Sequence, residues 1–156
     1  MSKPKLRIGL IGTGFMGKAH VFGFASAPRV FELPYDLDLR TVADITPEAA
    51  ASAARTLGFT NATANWRDII NDPEIDVVDI TAPNALHKEM ALAALAAGKH
   101  VYCEKPLAPL SGDALEMTEA AEAKGIKTQV GFNYLCNPML IFAREMIAAG
   151  ELGEIR

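Results

Sequence analysis

Three glycines near the start of the chain carry its first chemical signal. Gly12, Gly14 and Gly17 stand in the segment IGLIGTGFMGKAH, after an apolar, strand-like run and at the start of a helix-like segment. In this setting a G-x-G-x-x-G turn lets the backbone approach a pyrophosphate and points helix N–H groups at its charge. The same spacing also occurs in tight turns without a ligand. We interpret it as a dinucleotide-binding turn. The turn would include the intervening residues Thr13, Phe15 and Met16.

An acidic residue further along supports this interpretation. Asp44 ends a predicted strand in LRTVADIT, where a carboxylate would bind the hydroxyls of the adenosine ribose; we count Ile45, the next residue, with the site. Asp44 lies 27 residues beyond Gly17, later than the usual ~20, and we attribute the delay to a proline-containing loop over residues 28–38. A solvated strand-end carboxylate is the alternative. No arginine follows to receive a 2′-phosphate, so NAD is favoured over NADP.

Hydrophobic periodicity predicts the elements that would position these residues. Short apolar runs alternate with alanine-rich segments of helical length. The predicted strands are residues 6–11, 39–43, 77–80, 100–103 and 127–131, with a weaker one at 60–64. The predicted helices are residues 14–27, 47–57, 85–97, 111–124 and 138–149. Six strands joined by helical crossovers predict an α/β fold, a doubly wound parallel sheet of the Rossmann type.

Composition narrows the class of partner. The 156 residues correspond to about one domain. No apolar run reaches the ~18 residues that cross a membrane, and the N-terminal segment is too short for a secretory signal. We therefore expect a soluble, cytoplasmic protein. A net charge of −4 without a basic cluster argues against nucleic acid or membrane partners and favours a small-molecule substrate. Cys103 and Cys136 lack metal-binding spacing, so we expect reduced thiols, one of them buried, and no metal site.

Several segments beyond the glycine turn have a more specific resemblance. They are Asp44, NWRDIINDPEIDVVDI, the Thr-Ala-Pro-Asn turn of residues 81–84 with its nearby His87, the Glu-Lys-Pro sequence of residues 104–106, and VGFNY. Together they resemble the glucose–fructose oxidoreductase/inositol dehydrogenase/MocA family of nicotinamide-dependent oxidoreductases. The Glu-Lys-Pro element at this distance after the Pro-Asn turn is the most specific part of the resemblance.

The resemblance implies roles for these residues. Lys105 would be the catalytic residue that faces the nicotinamide and substrate, and we expect the Lys105–Pro106 peptide bond to be cis. If the strand continues through both residues, Glu104 and Lys105 should point apart, because successive strand residues face opposite sides. The other implied cofactor-site residues are Thr81, Ala82, Pro83, Asn84, His87, Glu104 and Asn133.

Other interpretations of these residues remain open. Asn84 could also cap the following helix, His87 could be an ordinary helix-surface histidine, and Lys105 a solvated strand-end lysine. His20 in the first helix, and Trp66 at a short helix start, resemble family positions but are interpreted as structural and packing residues. Family members often carry an arginine where this chain has Leu135-Cys136, so any contact made by that arginine is in doubt.

The resemblance also predicts how the whole protein is organised. Residues 1–131 would form the NAD(P)-binding domain, and residues 132–156 a helix leading into a second, substrate domain that this chain lacks. That second domain would supply the substrate floor, an aspartate–histidine pair and the interface of a homo-oligomer. Its absence should leave an exposed apolar face.

The function expected from this resemblance is hydride transfer between NAD and a secondary hydroxyl of a sugar, inositol or other polyol. We expect the chain alone to be inactive. The alternative is a non-catalytic NAD-binding regulatory or interaction module built on the same domain.

Overall fold

One parallel sheet forms the centre of the computed structural model, which describes residues 3–154. Its strands are β1 (Lys5–Ile11), β2 (Asp36–Ala43), β3 (Asn61–Thr63), β4 (Val77–Ile80), β5 (His100–Cys103) and β6 (Thr128–Val130). They lie in the order β3-β2-β1-β4-β5-β6, and all neighbouring pairs are parallel. The chain thus winds outward from β1 in both directions, and the predicted six-stranded Rossmann-type α/β fold is confirmed.

Helices connect the strands and follow the last one. Within residues 3–154 they are α1 (Phe15–Val30), α2 (Pro47–Leu57), α3 (Trp66–Asn71), α4 (His87–Ala96), α5 (Ser111–Lys124) and α6 (Pro138–Ala148), with short 3-10 helices at Asn84–Leu86 and Asn133–Cys136. Local signals explain the ends of α2. The Thr46 side chain accepts a hydrogen bond from the Ala49 N–H at 3.1 Å, and Gly58 ends the helix with φ +84°, a conformation that favours glycine.

The sheet separates two hydrophobic clusters, because alternate residues of each strand face opposite sides. On one face Leu10 and Val42 pack with α1, α2 and Phe59. On the other face Val78, Ile80, Val101 and Cys103 pack against α3, α4 and α5. Residues between these, such as Asp79 on β4, therefore point to the face that α1 covers.

The connection between β1 and β2 differs from the prediction. Residues 28–38 were expected to form a loop, but α1 continues to Val30 and β2 begins at Asp36. Pro28 removes only one hydrogen bond from the last turn, and the Phe31 N–H still donates to the Ala27 carbonyl at 2.8 Å. β2 is longer because Asp36 pairs with Lys5 at the start of β1. Asp44 lies far beyond Gly17 because α1 and β2 are longer than predicted. The explanation by a loop over residues 28–38 is therefore wrong.

The C-terminal helix exposes an apolar surface. No residue of α6 is buried, and Met139 and Phe142 are 71% and 55% exposed. This is the exposed apolar face that the sequence analysis expected; the domain boundary at residues 131/132 stays a prediction. Within residues 3–154, no helix combines the length and the apolarity that crossing a membrane requires.

Candidate dinucleotide-binding site

The carboxyl ends of β1 and β4 meet where the strand order reverses. In open α/β sheets, ligands bind in the crevice at this point. Here Gly12 follows β1 and Thr81 follows β4. The Thr81 N–H donates to the Ile11 carbonyl at 2.9 Å, and the Thr81 hydroxyl donates to the Gly12 carbonyl at 2.8 Å. The two turns are therefore joined into one continuous rim.

The space around a side chain added at each of the three glycines differs. Gly12 has φ +95°, and a Cβ there would lie 2.9 Å from the Thr81 carbonyl oxygen. A Cβ on Gly17 would overlap the Gly12 carbonyl oxygen, so Gly17 lets α1 pack against the turn. Gly14 has φ −65°, and nothing lies within 4 Å of a Cβ added there. The protein itself therefore does not require a glycine at position 14, whereas a ligand close to the backbone would.

The start of α1 presents free hydrogen-bond donors to the crevice. Gly14 is the residue that precedes the helix, and no side chain caps it. The first N–H groups of a helix have no partner within the helix, and together with the helix dipole they attract anions. This arrangement fits the pyrophosphate of a dinucleotide.

Asp44 lies at the carboxyl end of β2, half-buried beside the glycine turn. Its Oδ1 accepts a hydrogen bond from the Ile45 N–H at 2.7 Å, and its Oδ2 accepts one from the Thr13 hydroxyl. Thr13, Ile45 and Asp44 therefore form one cluster beside the glycine turn.

A cavity of about 570 Å³ opens over these turns, a size within the range of small-molecule sites. Of the predicted cofactor residues, its walls include Gly12, Thr13, Gly14, Phe15, Met16, Asp44, Ile45, Thr81, Ala82 and Pro83. Its walls do not include Gly17, Asn84, His87, Glu104, Lys105 and Asn133. The structure thus brings together the half of the predicted site around the glycine turn and Asp44.

The cavity walls also contain apolar residues that the sequence analysis did not assign to the site. They are Ile11, Ala43, Ala64, Trp66, Leu86 and Met90. Trp66, interpreted as a packing residue, both packs against the core and lines the cavity, and the Arg67 guanidinium lies 4.2 Å from the centre of its ring. Leu86 and Met90 follow the Pro-Asn turn at helical spacing, a signal that could have indicated an apolar wall.

The two predicted asparagines lie outside the cavity walls. Asn84 is exposed and begins a 3-10 helix, which Pro83 precedes, and no side chain caps that helix or α4. The interpretation of Asn84 as a helix cap is therefore wrong, because the turn continues directly into helical backbone. Asn133 is exposed and begins the 3-10 helix after β6.

Glu104 and Lys105 follow β5, which ends at Cys103, so the alternation rule for strand residues does not apply to them. Glu104 is buried, whereas Lys105 is exposed and its Nζ forms no hydrogen bond with any of residues 3–154. The Glu104 Oε2 accepts a hydrogen bond from the Lys105 N–H at 3.0 Å. The Lys105–Pro106 peptide bond is cis, as expected.

His20 on α1 joins two buried carboxylates. Its Nδ1 lies 2.9 and 3.0 Å from the two carboxylate oxygens of Asp79, and its Nε2 lies 3.1 Å from Glu104 Oε1. The Tyr102 ring stacks on the imidazole at 4.7 Å between ring centres. The structure places His20 inside a buried hydrogen-bonded cluster, and its two acidic partners were not foreseen.

Opposing effects set the protonation of this cluster. Burial lowers the pKa of His20, but the hydrogen bonds and charges of Asp79 and Glu104 outweigh burial and raise that pKa above its ordinary value. Burial raises the pKa of Asp79, although its hydrogen bond to His20 opposes the rise. Both shifts make the cluster keep its protons to higher pH than the separate groups would.

His87 is fully buried behind the Pro-Asn turn. Its Nε2 lies 2.8 Å from the Ala82 carbonyl oxygen and its Nδ1 lies 3.0 Å from the Pro106 carbonyl oxygen. The interpretation of His87 as a surface histidine is wrong. It would affect a cofactor through the Ala82 backbone, since its ring has no access to the cavity.

A second cavity, of about 330 Å³, lies between α5 and the β5–β6 edge. Its walls include Leu95, Met117 and Gly125, far along the chain from the glycine turn. Cys103 also lines it, and burial raises the pKa of that thiol to about 12, so the thiol is unreactive at neutral pH. This cavity contains none of the residues predicted for the site.

The fold and the crevice define the class of the chain as a dinucleotide-binding α/β domain. Residues 6–132 match the model of the oxidoreductase family Gfo/Idh/MocA, described as having an NAD-binding Rossmann fold. The chain therefore belongs to this family of NAD-binding oxidoreductases, and the resemblance seen in the sequence is confirmed.

Named relatives include dehydrogenases that act on sugars and inositols. The chain is 48% identical over 151 residues to the levoglucosan dehydrogenase of Pseudarthrobacter phenanthrenivorans, covering 96% of this chain and 39% of that protein. It is 33% identical over 150 residues to an inositol 2-dehydrogenase/D-chiro-inositol 3-dehydrogenase of Lactiplantibacillus plantarum, covering 95% of this chain and 41% of that protein.

Solved structures agree. A levoglucosan dehydrogenase in complex with NADH and levoglucosan superimposes with a TM-score of 0.92 at 47% identity, covering 97% of this chain and 41% of that one. An NAD-binding oxidoreductase from Klebsiella pneumoniae gives a TM-score of 0.90 at 48% identity, covering 96% of this chain and 40% of that one. The chain spans about 40% of the length of the relatives that it matches.

Proposed function

We propose that this chain is the cofactor-binding part of a dehydrogenase that transfers a hydride between NAD and a secondary hydroxyl of a sugar, inositol or other polyol. The observation that carries the proposal is the exposed, unbonded Lys105 ammonium at the carboxyl end of β5. β5 is the direct neighbour of β4, whose following turn lines the cavity. The names of the relatives support the substrate class.

The residues of the crevice would hold NAD rather than NADP. The helix N–H groups after Gly14 would bind the pyrophosphate, and the Asp44 carboxylate would accept hydrogen bonds from the adenosine ribose. A 2′-phosphate at that corner would place negative charge against the carboxylate. The Thr13 hydroxyl supports this assignment because it holds one carboxylate oxygen in place.

Lys105 would orient the reacting carbon–oxygen group. When bound, the nicotinamide supplies the site that accepts or donates the hydride. The Lys105 ammonium would donate a hydrogen bond to the substrate oxygen and stabilise the negative charge that develops there as its proton leaves. The base that takes the proton, and the surface that holds the rest of the polyol, belong in this proposal to a second domain outside this chain.

The proposal also covers the cellular compartment, the partner and the oligomeric state of the protein. We place it in the cytoplasm, where cysteines such as Cys103 and Cys136 stay reduced. Its partner is a small-molecule substrate, and we propose a homo-oligomer formed through the second domain.

The test is an activity assay on the chain joined to the remaining part of the levoglucosan dehydrogenase that it resembles. We expect reduction of NAD, followed by absorbance, with at least one member of a panel of sugars, inositols and other polyols. Lys105→Met should reduce kcat/KM by about 10²-fold or more because one preorganised donor is lost. If the fusion protein binds NAD but does not reduce it with any substrate of the panel, the proposed function fails and the result supports the non-catalytic alternative.

A further inference from the structure

The cluster of His20, Asp79 and Glu104 lies outside the cavity walls and has no part in the chemistry proposed above. All three side chains are almost completely buried, with Asp79 at 0% exposure. Burying three ionisable groups is costly unless each is paired. Pairing here is complete for the imidazole, because both of its nitrogens face carboxylate oxygens. Since a carboxylate only accepts hydrogen bonds, both nitrogens donate when Asp79 and Glu104 are ionised.

The cluster connects three elements that are distant in sequence. His20 lies on α1, one helical turn after Gly17; Asp79 lies on β4; and Glu104 follows β5. Tyr102 on β5 stacks on the His20 ring with only 8° between the ring planes, which fixes the orientation of the imidazole. The helix that begins at the glycine turn is thus connected to the end of β5, directly before Lys105.

Glu104 connects His20 to Lys105 through its two carboxylate oxygens. One oxygen, Oε1, receives the His20 hydrogen bond, and the other, Oε2, receives the Lys105 N–H at 3.0 Å. On the far side of Lys105, His87 Nδ1 lies 3.0 Å from the Pro106 carbonyl oxygen. The Glu104 contact is the one that connects the Lys105 backbone to α1.

Space around Glu104 is restricted as well. A Cβ on Gly131 would overlap Glu104 Oε1, so the backbone after β6 closes directly over the carboxylate. The carboxylate cannot swing away from His20 in that direction. Its two oxygens are therefore committed to His20 and to Lys105.

We propose that His20 is a positioning residue, which acts through Glu104 to hold Lys105 against the nicotinamide half of the dinucleotide. This inference rests on the proposed function, since it assumes that Lys105 faces the bound cofactor. His20 touches neither substrate nor cofactor. Replacing a residue with this role changes where Lys105 points when NAD is bound. Replacing a residue that is needed only for folding changes the stability of the protein.

Lysine labelling separates these roles. The chain is treated briefly with acetic anhydride, with and without NAD, and acetylation is measured for each lysine by mass spectrometry. Lys127, which is exposed and directly precedes β6, is the internal reference. NAD is set at twenty times the Kd measured for each protein, so that differences in affinity do not enter. In the wild type we expect NAD to slow acetylation of Lys105 at least fivefold relative to Lys127.

The variants then test the connection. His20→Asn should reduce this protection to below twofold. Glu104→Gln keeps the shape of the side chain but presents one acceptor oxygen instead of two, so it should give an intermediate value even if His20→Asn folds poorly. The control is Glu119→Gln, which makes the same change as Glu104→Gln at an exposed residue of α5 and should retain full protection.

The outcomes are distinguishable. Equal protection in the wild type, His20→Asn and Glu104→Gln overturns the positioning role and leaves the proposed function intact. No protection of Lys105 in the wild type overturns the placement of Lys105 beside the nicotinamide, and the positioning role with it. Loss of protection in the two cluster variants but not in the control supports the inference.

Discussion

The proposed preference for NAD over NADP rests on Asp44. Its carboxylate is already oriented by the Thr13 hydroxyl and the Ile45 N–H, so little reorganisation is needed when a ribose binds. Hydrogen bonds to a charged group contribute roughly 1.5–3 kcal/mol each. We therefore expect Asp44→Ala to weaken NAD binding about 10- to 150-fold in calorimetric titrations, with a smaller loss or a gain for NADP.

A second aspartate of the same strand serves as the control. Asp38 lies near the start of β2, where it pairs with the exposed Lys5 at 3.4 Å, and Asp38→Ala should leave the affinity for NAD unchanged within about twofold. Unchanged NAD affinity in Asp44→Ala, or a wild type that prefers NADP, contradicts the ribose assignment.

The protonation of His20 predicts how stability depends on pH. A group whose pKa is raised on folding holds its proton more tightly in the folded state. The stability that His20 contributes is therefore complete below its unfolded pKa, 6.5, and is lost as the pH rises through the folded value. Asp79, whose pKa is also raised, acts in the same direction from its unfolded pKa of 3.8 upward, and Glu104 and Tyr102 are the other titratable neighbours.

Denaturant unfolding of His20→Gln between pH 5 and 9 tests this dependence. Leaving buried charges without their partner typically costs roughly 3–5 kcal/mol, so we expect a loss of this order at pH 6 that becomes smaller toward pH 9. His100→Gln should follow the wild-type curve throughout. A loss in His20→Gln that is constant or grows with rising pH contradicts a raised pKa for His20.

The contacts of a single residue could be predicted from the sequence only where its partners lie a few residues away along the chain. The glycine turn and Asp44 were found from local sequence signals, and the structure places both in the walls of one cavity. The partners of His20 lie 59 and 84 residues away. No periodicity connects such positions, and only the fold brings them together.

Elements whose ends carry their own signals were predicted closely. α2 and α5 begin and end at the predicted residues, because Gly58 and Gly125 adopt the positive φ that ends each helix. α1 was predicted to end at residue 27, before a proline-containing loop, yet it continues to Val30. Proline near a helix end does not determine the end by itself, and the start of β2 depends on pairing with β1, which a single segment cannot reveal.

The packing of α1 against the turn yields a prediction at the scale of elements. Gly17→Ala should cost about 1–3 kcal/mol of unfolding free energy, because its Cβ would overlap the Gly12 carbonyl oxygen. Gly23→Ala in the same helix has open space around its Cβ and should instead stabilise the helix by about 0.5–1 kcal/mol. Denaturant unfolding of the two variants gives the comparison; equal effects would contradict close packing at Gly17.

Gly14→Ala distinguishes a ligand from packing. Nothing lies within 4 Å of its added Cβ, so stability should change by less than about 1 kcal/mol. Affinity for NAD should fall roughly tenfold or more, or ~1.4 kcal/mol, because the methyl group would occupy space needed by the pyrophosphate. If Gly14→Ala binds NAD like the wild type, the backbone at Gly14 does not approach the cofactor.

At the scale of the molecule, the two ends of the site differ in completeness. The end around Asp44 and the glycine turn has walls on several sides and encloses a cavity. The end at Lys105 is open to solvent, and α6, the last described helix, exposes its apolar residues. An apolar helix without buried residues lacks the contacts that normally stabilise helices in proteins. Both observations agree with a substrate half of the site that is formed outside these residues.

We therefore expect this chain to bind NAD without catalysing hydride transfer. Binding needs the glycine turn, the start of α1, Asp44 and the turn after β4, all of which are present. Hydride transfer needs more, because the substrate carbon must be held about 3–3.5 Å from the nicotinamide, a constraint that can contribute roughly 7–11 kcal/mol. A general base contributes a further ~10²–10⁴-fold. We expect the chain alone to bind NAD with a Kd within about threefold of that of its fusion to the rest of the levoglucosan dehydrogenase.

The rates of the two proteins should differ far more than their affinities. With NAD saturating and the same polyol panel, the chain alone should reduce NAD at less than about 10⁻⁴ of the rate of the fusion protein, because the proposed function assigns the substrate enclosure and the base to a second domain. The comparison is made by absorbance of reduced nicotinamide, with Lys105→Met in both backgrounds. If the chain alone approached the rate of the fusion protein, the catalytic partner of Lys105 would have to lie within this chain, and His20 with its buried carboxylates would be the first group to mutate.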